Sequence, residues 1–168
     1  CAAKICGLSE KKINNTLHLI RPVEGRLELI KEFANMSKVF IDYAHTPNAL
    51  YTAVTSLKKH FNSDVTLVFG CGGNRDFKKR PLMAKVAKTL SNKIFVTDDN
   101  PRKENPKKIR NEIIKYLKNS NYQEIGNRES AIKKAIKDSK YHEIILIAGK
   151  GHENTQDYGN KILNISDK

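Results

Sequence analysis

Four short polar motifs carry residue types suited to holding a small, multiply charged molecule. They are Asp42-Tyr43-Ala44-His45-Thr46-Pro47, Gly70-Cys71-Gly72-Gly73-Asn74-Arg75-Asp76, Asp98-Asp99-Asn100-Pro101-Arg102 and Gly149-Lys150-Gly151-His152-Glu153. Arg75 and Arg102 offer planar guanidinium forks that match a carboxylate at two points. Glu153 can accept from an ammonium group, and bare glycine backbone lets amides approach an anion closely. No Ser/His/Asp trio stands out, and no His or Cys cluster has zinc spacing. The chemistry is that of charge complementarity.

Each motif follows directly on an apolar run with strand character, at residues 39–41, 65–69, 93–96 and 144–148. In an open parallel α/β sheet, ligands bind in the crevice beyond the carboxyl ends of the strands. If these runs share a sheet, the four motifs converge on one site. Taken singly, each has a plainer reading. The 70–76 loop is neither G-x-G-x-x-G nor a Walker A loop, and its plainer reading is a tight turn with a surface Arg. The 149–152 stretch lacks the Ser or Thr after Lys that a phosphate loop needs; Lys150 and His152 are anion contacts or members of a plain loop. Asn100-Pro101 alone is an Asn-Pro turn. Asp42 and His45 either contact a nucleotide or cap the helix that opens at Thr46, and their spacing leaves both open.

The remaining pattern supplies the scaffold. The first twenty residues read as a helix stopped at Gly7, then a second one capped by Ser9 and running through residues 17–20. The Arg21-Pro22 step breaks that pattern, and residues 26–33 alternate like a strand. Thr46 and Pro47 open a helix that carries Leu50, Val54 and Leu57 on one face. Further helices are expected near 81–90, 106–117 and 129–136, with a weak strand near 122–125. Tyr158-Gly159-Asn160 is a turn between two short antiparallel strands. Strands alternating with helices over short connections predict an α/β fold, a mostly parallel sheet with helices on both faces.

At 168 residues the chain fits one domain that buries roughly 70% of its unfolded surface. Its net charge of +13 comes mostly from lysines scattered through 103–118 and 133–140. Arg is scarce and no basic run interleaves with aromatics, so a solvated lysine surface is the expectation, with steering of acidic substrates as second reading and no nucleic-acid partner. No apolar stretch approaches the ~18 residues that span a bilayer, and no signal-peptide pattern occurs, which predicts a cytoplasmic protein without a membrane partner. Cys1, Cys6 and Cys71 have no metal or redox spacing. Cys1 and Cys6 are expected as small core residues; Cys71 serves by its size in a tight loop. A start at Cys1, inside an apolar helix pattern, reads as a fragment of a longer protein.

Together the four motifs resemble those of the Mur ligases, ATP-dependent enzymes that build the peptidoglycan stem peptide. Within that family the likeness is to the branch that adds the third amino acid. It runs from Gly25-Arg26-Leu27-Glu28 through the four motifs to Tyr158-Gly159-Asn160 and Ser166-Asp167. The resemblance implies residues 1–20 as the end of a central ATPase domain and 21–168 as a C-terminal, Rossmann-like, amino-acid-binding domain. It implies that Arg26, Asp42 and His45 face the nucleotide, and that Arg75, Asn100, Arg102, Gly149 and Glu153 hold the amino acid, with Asp99 and Pro101 shaping the recognition loop. ATP and Mg2+ would be bound mainly by the central domain, on which this one packs in a monomer. The substrates implied are meso-diaminopimelate and UDP-N-acetylmuramoyl-L-alanyl-D-glutamate. No catalytic residue and no metal ligand are expected in this chain. Arg102 distinguishes diaminopimelate-adding members from lysine-adding ones. A lysine-adding ligase and a free-standing amino-acid-binding module are the alternatives.

Overall fold

The computed structural model describes residues 2–19 and 22–168. Six strands form one sheet in the order β1-β2-β6-β3-β4-β5. The elements are β1 Glu28–Glu32, β2 Lys38–Asp42, β3 Val65–Phe69, β4 Lys93–Val96, β5 Tyr122–Glu124 and β6 Ile144–Ala148. Only β1 runs antiparallel, pairing with β2 through a register shift between Leu29 and Lys31; the other pairs are parallel. β3 and β6 are buried along their whole length, which explains their near-continuous Val, Ile, Leu and Phe runs.

Successive side chains of each strand point to opposite faces. Phe40, Leu67, Phe69, Ile94, Val96, Ile144 and Leu146 meet α3 (Pro47–Phe61), α4 (Lys79–Leu90) and α5 (Pro106–Ile114) on one side. Val39, Ile41, Val68, Phe95, Ile145 and Ile147 meet Ala131 and Ala135 of α6 (Arg128–Lys137) on the other. The expected two-faced, mostly parallel α/β sheet is thus borne out, with three helices on one face and one on the other. Thr46 caps α3 by accepting from the Ala49 amide at 3.3 Å, with Pro47 in the first turn. That bond satisfies one of the orphan donors of the first turn. The tail forms the expected hairpin, β7 Thr155–Asp157 paired antiparallel with β8 Ile162–Asn164.

Three expectations differ in detail. The helix expected at 81–90 begins at Lys79, and the one expected to reach 117 is helical to Ile114 and closes in a turn. Cys6 is not a core residue: it is exposed. It follows a helix of four residues, α1 (Ala2–Ile5), and neither α1 nor α2 (Glu10–Leu17) has a buried side chain. Cys1, Ile20 and Arg21 lie outside the described residues.

Candidate functional site

The strand order puts β2, β6, β3 and β4 side by side, so their carboxyl ends deliver all four motifs to one edge. A cleft of about 470 Å³ opens there. Arg75, Asp99, Asn100, Arg102, Gly149 and Glu153 line it, as does His45. Two guanidinium groups and several carboxylates thus share a space sized for a small charged molecule.

The loop after β4 is held by contacts from the glycine loop, the loop after β6 and β7. Asp99 Oδ1 accepts from the Asn100 amide at 2.7 Å. Asn100 Nδ2 donates to Glu153 Oε2 at 3.0 Å, and its Oδ1 accepts from the Asp157 amide at 2.9 Å. Arg102 sits in left-handed backbone at φ 54°, with its amide donating to the Asp157 carbonyl at 2.9 Å. A non-glycine residue in that region is uncommon and is kept there by its surroundings. Its Nη1 donates to the Gly73 carbonyl at 2.9 Å, so one edge of the guanidinium is committed to the glycine loop. Pro101 is buried behind the cleft. Gly149, at φ 118°, lies so close to Asp99 that a Cβ there would sit 2.8 Å from Oδ2.

Beneath the loop lies a layer that the sequence did not disclose. Gln156 Nε2 donates to the carbonyls of Asp98 and Asp99 at 3.2 and 2.6 Å. Arg128, fully buried, donates to Ala148 O at 3.1 Å and forms a two-point pair with Asp167 at 2.6 and 2.7 Å. Tyr158 donates to Asp98 Oδ2 at 2.9 Å; burial first, then Asp98, pushes its hydroxyl up to about 12. Arg80, also fully buried, pairs with Glu104 and Glu112. Burial works against the charge of Arg80, but these two carboxylates outweigh it and raise its pKa. Of this layer, only the Tyr158-Gly159-Asn160 turn and the Ser166-Asp167 end had a sequence signal.

Of the second group of expected residues, His45 lines the cleft, while Arg26 and Asp42 lie outside its lining. Arg26 stacks over the Tyr43 ring at 4.5 Å, and His152 stacks on the same ring at 5.6 Å. His45 meets Tyr43 edge-on at 4.7 Å, its Nδ1 donating to the Tyr43 carbonyl at 2.9 Å. Asp42 is buried and accepts from the amides of Leu27 and Ala44, both at 2.7 Å. Neither Asp42 nor His45 caps α3, because Thr46 does. Lys150, an anion contact or a member of a plain loop on sequence alone, is not among the residues that line the cleft. It is fully buried and donates to the Thr155 carbonyl, with Glu153 Oε2 3.6 Å away. Cys71 is buried in the cleft wall, and burial pushes its thiol up to about 12.

Comparison with known proteins bears on this geometry. The family model described as "Mur ligase, glutamate ligase domain" matches residues 25–151. A protein of Rickettsia felis named UDP-N-acetylmuramoyl-L-alanyl-D-glutamate–2,6-diaminopimelate ligase is 48% identical over 96% of this chain and 30% of its own length. A protein of the same name from Buchnera aphidicola is 44% identical over 96% of this chain and 33% of its length. A solved structure of that name superposes with a TM-score of 0.79 at 34% identity, covering 99% of this chain and 34% of that one. A bifunctional folylpolyglutamate synthase/dihydrofolate synthase from Yersinia pestis shares the fold, with a TM-score of 0.66 over 86% of this chain and 32% of its own, at 17% identity. The chain spans about a third of the length of the curated relatives it matches. With three quarters of its residues under the family model, this chain belongs to the Mur ligase, glutamate ligase domain family.

Proposed function

We propose that this chain is the amino-acid-binding domain of an ATP-dependent ligase that joins meso-diaminopimelate to UDP-N-acetylmuramoyl-L-alanyl-D-glutamate. The observation that carries this reading is the meeting of Arg75 and Arg102 with Asp99 and Glu153 around one cleft. Meso-diaminopimelate has two carboxylates and two ammonium groups, and the lining offers counter-charges for both kinds. The names of the relatives at 44–48% identity agree with it.

In this reading Arg75 and Arg102 clamp carboxylates, while Glu153 and Asp99 take an ammonium. Asn100 orients Glu153, Pro101 stiffens the loop, and Gly149 leaves room beside Asp99. Arg26 and His45 present a cationic and aromatic edge suited to a nucleotide, and Asp42 sets that edge by holding Leu27 and Ala44. ATP supplies the phosphoryl group that activates the acceptor carboxylate. This chain aligns the attacking amine, an effect worth several powers of ten in effective concentration. ATP and Mg2+ would be held mainly by the central domain, as the family resemblance implies.

We read residues 1–20 as the end of a central ATPase domain. Ile5, Leu8, Leu17 and Leu19 are exposed on this segment, as suits side chains that pack within that domain. We read the ligase as a cytoplasmic monomer, as the family resemblance implies.

Steady-state ligation by the complete enzyme, comparing meso-diaminopimelate with L-lysine, tests the reading. A strong preference for diaminopimelate is expected. Preference for lysine would overturn the substrate, and no ligation with either would overturn the ligase.

A further inference from the structure

We infer that Arg80 is a positioning residue for amino-acid recognition: with Glu104 it fixes the separation of the two loops that carry Arg75 and Arg102. This rests on the ligase reading and adds a residue to it that does not line the cleft.

Arg80 is the second residue of α4 and 1% exposed. Its Nη1 donates to Glu112 Oε2 at 2.7 Å, anchoring it to α5. Its Nη2 donates to Gly72 O at 3.2 Å and to both oxygens of Glu104, at 3.1 and 3.0 Å. Glu104 Oε1 accepts in turn from the Asn74 amide at 2.5 Å. One buried fork and one carboxylate therefore grip the glycine loop at Gly72 and Asn74, three residues and one residue before Arg75. The same carboxylate belongs to the turn that follows Arg102.

The seam they hold is made of backbone and the Asn74 side chain. The Gly73 amide donates to Asn100 O at 2.9 Å, and the Lys103 amide to Asn74 Oδ1 at 3.0 Å. A Cβ on Gly73 would fall 1.9 Å from the Pro101 carbonyl. Loops in such contact cannot shift separately, and the clamp behind them sets where both guanidinium groups stand. Arg80 Nε is buried without a partner. Its charge is therefore held entirely through Nη1 and Nη2, the two atoms that reach the loops and α5. A lysine supplies a point charge and cannot span Glu104, Glu112 and Gly72 in one plane.

The test is steady-state kinetics of the complete ligase carrying Arg80→Lys, Arg80→Ala or Glu104→Gln. We expect the KM for meso-diaminopimelate to rise about tenfold or more, since displacement of positioning groups by an ångström costs on that scale. The KM for ATP and for the nucleotide-linked acceptor should stay within about twofold, and guanidinium ion added to Arg80→Ala should restore part of the loss. If Arg80→Ala does not fold, Glu104→Gln, close to isosteric, should show the same selective rise. A lowered Tm with an unmoved diaminopimelate KM, or an equal rise in all three KM values, would overturn the inference. Wild-type enzyme that fails to ligate diaminopimelate overturns the ligase reading instead, so the two failures are distinguishable.

Discussion

Asn100 and Glu153 meet at 3.0 Å although 53 residues separate them in the chain. The contact joins the loop after β4 to the loop after β6, and the Asp157 amide fixes the other end of the Asn100 side chain at 2.9 Å. Asn100→Asp places two carboxylates where one donor and one acceptor now sit. Like charges at that distance do not both ionise readily, so one carboxyl pKa rises. Diaminopimelate KM of the variant should be about tenfold or more above wild type at pH 8, the scale of one lost charge-assisted bond. It should recover partly at pH 6, where one carboxyl holds a proton. A pH-independent KM in kinetic assays would contradict the contact's role.

Arg102→Ala in the complete ligase removes a guanidinium that lines the cleft. A hydrogen bond to a charged group contributes roughly 1.5–3 kcal/mol, which corresponds to about 10- to 150-fold in affinity. Diaminopimelate KM should rise by that factor, with ATP affinity nearly unchanged and the preference over lysine reduced. Equal losses for ATP and diaminopimelate would count against the assignment.

Arg128 and Asp167 form a pair with no solvent access on either side chain. Removing one partner leaves an uncompensated buried charge, at a cost of about 3–5 kcal/mol. Arg128→Met and Asp167→Leu should each lower Tm strongly. The double replacement should cost less than either alone, because no charge is then stranded. Thermal melts of the three variants check this directly.

The thiol of Cys71 titrates near 12 instead of 9.0, because burial strips solvent from the thiolate. Tyr158 shifts from 10.0 to about 12 in the same direction. The folded state thus keeps protons that the unfolded state releases. This stabilisation is fully present below pH 9 and is lost as pH climbs toward 12. Tm should fall across that window, less steeply in Cys71→Ala. At pH 8 iodoacetamide should modify exposed Cys6 and leave Cys71 intact until unfolding, as read by peptide mass mapping. Modification of Cys71 at the Cys6 rate in the folded protein would refute its burial.

The sheet was legible because strands buried on both faces carry unbroken Val, Ile, Leu and Phe runs, and the motifs that follow them mark the strand ends. The cleft residues Arg75, Asn100, Arg102 and Glu153 were legible for the same reason. The supporting layer was not. Arg80 and Arg128 are arginines in helices, which ordinarily read as surface. Their partners Glu104 and Asp167 lie 24 and 39 residues away, beyond any local pattern. The burial of Lys150 was not legible, because nothing in the sequence shows that its ammonium turns to the Thr155 carbonyl at the start of β7. Cys6 was misread because an apolar helix pattern does not reveal whether the helix has a core to join.

β6 is the last strand of the main sheet to be made, yet it lies at its centre, between β2 and β3. A polypeptide emerging from the ribosome therefore cannot assemble this sheet strand by strand. Until Ile144–Ala148 arrives, β2 and β3 have a gap between them where their hydrogen-bonding partner belongs. A nascent chain stopped before that point carries two unpaired strand edges, which makes it a target for aggregation and for chaperones. The cleft is completed in the same closing event, since Gly149 and Glu153 line it immediately behind the keystone strand.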